Sequence, residues 1–214
     1  MTKRFIESDV KHDNINKNYK NGNAYISCID KRASIYASIG VNHSKISNKQ
    51  SFLFFTNKKI YRHFYNIHKN NPLINLIHIQ LPNNNLLINE KVREGWLFLS
   101  EIPINILEDC IHNCHSAISL DRNIKNSSAS KLTENEIIGL IASYIAQVIN
   151  DRKLENNKDS FYICEGTTLV ELIISYILDS YYIQTIVPSH SRIPRNKTVI
   201  HSDLYESNFL KSKK

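Results

Sequence analysis

The run AYISCIDKRASIYASIG (24–40) decides how the chain is read. AYISCI reads as a strand, and ASIYASIG after it reads as extended again, so that 23–41 is predicted to be extended as far as the turn at Gly40. Ser38 then stands where the first strand of a wound sheet would end. That edge is where open α/β sheets bind their ligands. A serine in such a place is either a turn former or an activated nucleophile.

Working outward, Ser47 is predicted to cap a helix running through FLFFTNKKIYRHFYNIHK (52–69) and stopped by Asn70-Asn71-Pro72, although FLFF reads equally well as a strand. On that helix Lys58 and Arg62 are four apart and Lys69 lies two turns further along the same face, a basic stripe opposite Phe54, Ile60 and Phe64. LINLIHIQL (73–81) is a short apolar run of the kind found in buried parallel strands, and WLFLSEI (96–102) reads likewise. Pro103 opens a helix over 104–118, and 121–132 is a polar connection. Thr133 with Glu136 forms a capping box ahead of IIGLIASYIAQVI, and Thr167 or Thr168 starts LVELIISYILDS. A last strand is expected over 198–201. Strands and helices alternate, which predicts an α/β, Rossmann-like domain: a mostly parallel sheet with helices on both faces, spanning 24–210 behind a flexible basic arm at 1–23.

The 214 residues suit one domain, and 42% apolar content suffices for a core. The longest apolar run, 169–183, is broken by Glu171 and Asp179, so no membrane span is expected; the first ten residues carry both charge signs and lack the apolar stretch of a leader. Four cysteines are too sparse for a disulfide framework, and a reducing, cytoplasmic setting is expected. Charge is segregated. Residues 1–70 hold 13 Lys/Arg against 4 Asp/Glu, 71–189 hold 8 against 14, and 190–214 hold 6 against 2, within a net charge of +7. Segregated positive charge favours a polyanion partner, because nucleic acid is bound chiefly by neutralising phosphate.

Three small constellations are read more blandly. Cys110, His112, Cys114 and His115 offer zinc ligands, but no second pair follows at usable spacing, so the cysteines are expected in the core and no metal or cofactor site is expected. Glu165-Gly166-Thr167-Thr168 has one glycine and reads as a helix cap more than as a phosphate cradle. Arg62 and His68 have a spacing seen in some RNA-cleaving helices.

Two blocks carry a resemblance. The first is Ala33-Ser34-Ile35-Tyr36-Ala37-Ser38-Ile39-Gly40, with Asn42 close behind. The second is Tyr176-Ile177-Leu178-Asp179-Ser180, then Pro188, Pro194 and Val199-Ile200-His201, with Asp203, Phe209 and Leu210 beyond. Together they resemble the cyclodipeptide synthases, which join the amino acids of two aminoacyl-tRNAs into a cyclic dipeptide. The resemblance implies a monomer that needs neither cofactor nor metal. Ser38 would carry the first aminoacyl group as an ester, and Tyr176 would position its amine. Ser34, Tyr36 and Ile183 would line the first amino-acid pocket, with Gly40, Asn42 and Ile200 at neighbouring motif positions. Lys45, Lys49, Lys58, Lys59 and Arg62 would meet the tRNA. The chain departs from the family at Tyr36 (glycine there), Ser180 (glutamate) and Ile200 (tyrosine), so Asp179, Ser180 or His201 would have to move the amine proton. Two other readings stay open: an RNA-binding domain of the same fold with a degenerate site, and a small basic nuclease or toxin using Arg62 and His68.

Overall fold

The computed structural model describes residues 21–29, 32–80, 85–118, 131–150, 159–166, 168–190 and 198–201. The predicted arm, apart from its last residues, and the 121–132 connection, apart from its end, lie outside them, as do Pro194, Asp203, Phe209 and Leu210. The strands are β1 (Ala24–Cys28), β2 (Ser51–Phe55), β3 (Ile74–His78), β4 (Phe161–Ile163), β5 (Gln184–His190) and β6 (Thr198–His201). The helices are α1 (Ala33–Ser47), α2 (Lys58–His68), α3 (Asn85–Leu99), α4 (Ile104–Ile118), α5 (Glu134–Asn150) and α6 (Leu169–Ser180). The sheet runs β3-β2-β1-β4-β5-β6; its first five strands are parallel and β6 closes antiparallel on β5. The expected α/β, Rossmann-like class is the one observed.

Two compact units divide the chain. One holds the sheet with α1 and α2; the other is the helical unit of α3 to α6. In the sheet unit one face is a continuous apolar layer: Ala24, Ile26 and Cys28 of β1, Leu53 and Phe55 of β2, Phe161 and Ile163 of β4, packed with Ala33, Tyr36, Ala37 and Ile39 of α1 and Phe64 of α2. The opposite face is buried too, with Tyr25 stacked on Phe52 at 4.8 Å and Ser27 hydrogen-bonded to Tyr162 at 2.5 Å. Burial on both faces is what the unbroken SFLFF run encodes, and it is why FLFF is strand and not helix. The helix that follows is shorter than predicted, and its cap is Asn57, not Ser47: the Asn57 side chain accepts from the Lys59 and Ile60 amides at 3.0 and 3.2 Å.

The reading of ASIYASIG as extended is overturned, for it forms the first half of α1. The residues that turn inward are Ala33, Tyr36, Ala37, Ile39, Gly40, His43 and Ser44, at helical spacing, while Ile35 and Ile46 point out. Gly40 lets this helix press onto the sheet, since a Cβ there would sit 2.3 Å from Leu53 Cδ2. A buried serine relay then locks it: Ser44 Oγ donates to Ser51 Oγ at 2.8 Å, and Ser51 Oγ donates to the Gly40 carbonyl at 2.7 Å. The helix ends at Asn48, whose φ of 56° lets its amide return to the Ser44 carbonyl.

WLFLSEI, expected as a strand, is the last turn of α3 and the turn beyond it. Its burial is helical: Ile88, Gly95, Phe98 and Leu99 face inward while Leu97 is 59% exposed. Here α3 and α5 cross backbone to backbone. A Cβ on Gly95 would lie 1.7 Å from the Gly139 carbonyl oxygen, and one on Gly139 would lie 2.7 Å from Trp96 Cδ1. Trp96 Nε1 donates to the Asn135 carbonyl at 3.0 Å and fixes the crossing. The predicted capping box of Thr133 with Glu136 is present on α5, and Thr168, one of the two threonines expected to start α6, forms a second box with Glu171.

Candidate functional site

The carboxyl edge of the parallel sheet is where the elements change direction, and strand order reverses there between β1 and β4. Arg32 follows β1 and Glu165 follows β4, and their side chains meet across this switch point at 3.6 Å (Arg32 Nε to Glu165 Oε1). Nothing local in the sequence joins two residues so far apart; only the adjacency of β1 and β4 does. The pair is partly solvated, so its own contribution is about 0–1 kcal/mol, and its interest is positional.

The two helices of the sheet unit that leave this edge, α1 and α2, start against the usual electrostatic preference. A helix N-terminus carries partial positive charge and favours carboxylates. The first turn of α1 has none, its N-cap is Arg32, and no side chain caps it. The first turn of α2 also has none, and Lys58 and Lys59 are its first two residues, with Arg62 one turn on. All four cationic side chains are exposed. Their field reaches the end of β3: the His78 imidazole is held below its ordinary pKa, first by burial and then by Lys58 and Arg62, against a hydrogen bond with the Thr56 backbone. His78 also stacks on Tyr61, with ring centroids 4.9 Å apart. This Lys58–Arg62–His78 grouping went unseen in the sequence because its members come from two different elements.

Ser38 is not at a strand end. It lies in the second turn of α1, exposed, and its hydroxyl donates to the Ser34 carbonyl at 2.8 Å. Ser34 and Asn42 share the exposed side of this helix, whereas Tyr36 is buried in the core below it and Gly40 serves the helix–sheet contact. Tyr36 therefore fills core volume and lines no amino-acid pocket on the outer face of α1. Ile183, also in the sheet unit, is fully buried just before β5. Ile200 and His201 lie in β6; their side chains fall outside the described residues.

Tyr176, Asp179 and Ser180 belong to α6 in the helical unit. The Tyr176 hydroxyl accepts from Asn113 Nδ2 at 2.6 Å, tying α6 to α4. The Ser180 hydroxyl donates to the Ile177 carbonyl at 2.6 Å, and partial burial raises the Asp179 carboxyl above its usual range.

The five basic residues assigned to RNA divide between two edges of the sheet. Lys45 and Lys49 lie beside the start of β2, and Lys58, Lys59 and Arg62 beyond its end, about 17 Å further along by strand rise. Lys69, at the C-cap of α2, is back at the first edge. Arg62 and His68, six residues apart, point to different sides of α2. His68 packs instead on Phe64, and burial and then the neighbouring His63 lower its pKa.

In the helical unit Cys110 and Cys114 are buried core residues with sulfurs 3.8 Å apart, and the hydrogen bond between them, then burial, push the Cys114 thiol far up. Among the described residues no group of three or more His, Cys, Asp or Glu is placed to hold a metal ion, and no helix is long and apolar enough to cross a membrane. Comparison with protein-family models, with curated proteins and with solved structures finds no match for this chain.

Proposed function

We propose that the chain binds RNA through its sheet unit, with tRNA as the form to test first because the sequence resemblance implies that partner. One observation carries the reading. At the carboxyl edge, α2 begins with Lys58 and Lys59 and without a carboxylate, so its helix dipole and side-chain cations point the same sign outward, while Arg32 at the start of α1 is offset by Glu165. Left empty, each such cation costs about 0.3–1 kcal/mol; a phosphate there reverses the sign of the interaction. Lys45, Lys49 and Lys69 at the other end of α1 and α2 extend the track for a ligand longer than a mononucleotide.

Binding is better supported than acyl transfer. The hydroxyl of Ser38 spends its proton on the Ser34 carbonyl within its own helix, an ordinary way for a mid-helix serine to satisfy itself. The test is fluorescence anisotropy with deacylated tRNA over a salt series. The logarithm of affinity should fall linearly with the logarithm of salt, and Lys58→Glu with Arg62→Glu should flatten that slope by about 1–2. An affinity and slope untouched by the double reversal would remove this edge from the interface. In parallel, cyclic dipeptides sought by mass spectrometry in the medium of an expressing culture should be absent. A product that disappears with Ser38→Ala would restore the transfer reading.

A further inference from the structure

We infer that the outer face of α2 is a base-stacking platform that selects single-stranded over double-stranded RNA. The inference rests on the RNA reading above and adds what the cations alone do not give, a preference for unpaired bases.

At 100° per residue, Lys58, Arg62, Tyr65 and Lys69 fall within an arc of about 60° on α2, so one face carries three cations around a single aromatic ring. Tyr61 borders this face and carries it to the sheet. Its ring stacks on His78 of β3, packs edge-on against the buried Phe55 at 5.9 Å, and lies 5.7 Å from the ring of Tyr65. The aromatic series thus climbs from the core, Phe55, through half-buried Tyr61, to Tyr65, which is 45% exposed. Anchoring does not account for Tyr65. Phe64, on the opposite side of the helix and nearly buried, already docks α2 on the sheet layer. Nor does a neighbouring strand cover this side, since β3 ends the strand order among the described residues.

The combination has a definite chemistry. A ring resting beside Tyr61, which itself stacks on His78, and flanked along the helix axis by Arg62 about 4.5 Å to one side and Lys69 about 6 Å to the other, offers a flat face to a base and guanidinium or ammonium groups to the phosphates around it. Single-stranded RNA presents unstacked bases for such a face. An A-form duplex keeps its bases stacked inside and leaves only phosphate and ribose to contact.

The experiment compares a short single-stranded RNA with a hairpin duplex of the same length, by anisotropy at one salt concentration. The single strand should bind more tightly. Tyr65→Ala should lower its affinity by about five- to one-hundred-fold and shrink the single-strand to duplex ratio accordingly, Tyr65→Phe should keep that ratio, and Tyr65→Leu, which preserves apolar area without a flat ring, should behave as alanine. Circular dichroism of each variant checks the fold, and because the site is exposed all three should match the parent. A duplex preference in the parent protein, or a ratio unmoved by alanine and leucine, overturns the stacking platform while leaving RNA binding in place. No binding of either RNA by the parent protein overturns the RNA reading itself.

Discussion

Helices α1 and α2 occupy equivalent places, each following a parallel strand and lying on the same sheet face, yet they are built to opposite ends. In α1 the inner side carries the investment: Gly40 at the point of closest approach, His43 buried, and serines 44 and 51 bonded in a relay to the backbone. Its outer side, apart from Arg32 and Lys45 at the ends, is Ser34, Ile35, Ser38, Asn42 and Ile46, with little to hold a ligand. In α2 only Phe64 is fully inside, with Ile60 and Tyr61 half-buried beside it, and the outer side sets Lys58, Arg62 and Lys69 around Tyr65. A helix anchored in depth is a support; one anchored by a few rings at its edge and dressed in charge is a surface.

Changes to the inner side of α1 should therefore be the most damaging. Gly40→Leu drives a branched chain into Leu53 and Ile26 and should destabilise by about 3 kcal/mol, read as a lower urea midpoint with unchanged slope. Arg62→Ala on the outer side of α2 should shift the midpoint by less than about 0.5 kcal/mol; equal losses at the two sites would end the distinction. Next in size, Ser51→Ala removes the buried bond to the Gly40 carbonyl and leaves the Ser44 hydroxyl its longer bond to the Leu73 carbonyl at 3.2 Å, and should cost about 0.5–1.5 kcal/mol.

Acid should act on α1 more gently. His43 donates from Nε2 to the Gly22 carbonyl at 3.0 Å and meets the edge of Phe161. Burial holds its pKa below 6.5, against the raising effect of that hydrogen bond. The unfolded chain therefore takes up the proton first. This contribution is complete above pH 6.5 and is lost as pH falls from there through the lowered folded-state value. His68 and His78 shift in the same sense, so the melting temperature should drop between pH 7 and 5, and His43→Gln should make that drop shallower. An equally steep drop in His43→Gln would show that His43 carries none of it. The smallest effect belongs to Ser38→Ala, which removes only a hydroxyl bonded back along its own helix. Stability should change by less than about 0.5 kcal/mol, and a loss above 1 kcal/mol would mean that the outer side of α1 is structural after all.

What was legible in the sequence was local chemistry with a definite spacing. Thr133 with Glu136 announces its helix because a capping box needs only four residues, Thr167-Thr168 marks a helix start without saying which threonine caps, and LINLIHIQL announces a strand because it is short and β-branched. ASIYASIG was misread because a short run of small and β-branched residues before a glycine looks like a strand before its turn, and eight residues are few for separating period 2 from period 3.6. The inward set Ala33, Tyr36, Ala37 and Gly40 has helical spacing, and Ser44 carries it one turn further through its bond to Ser51 on the next strand. WLFLSEI failed alike: Leu97 points outward because Gly139, forty-odd residues on, admits only Gly95 at the crossing. The site divides in the same way. Lys58 and Arg62 are four apart and readable, whereas Arg32 meets Glu165, and Tyr61 meets His78, only through strand order.

The crossing of α3 and α5 has a bearing on ancestry. Two backbones in near contact close both positions to every side chain, so any descendant of the same ancestor that keeps this packing keeps glycine at the equivalents of Gly95 and Gly139, with an indole or its replacement beside them. Such a pair, forty-four residues apart and flanked by Trp96 and the Thr133–Glu136 cap, is expected to change more slowly than the charged exterior around it, because each substitution there meets backbone. It is a spacing by which distant kin of this chain can be sought after their surfaces have diverged beyond comparison.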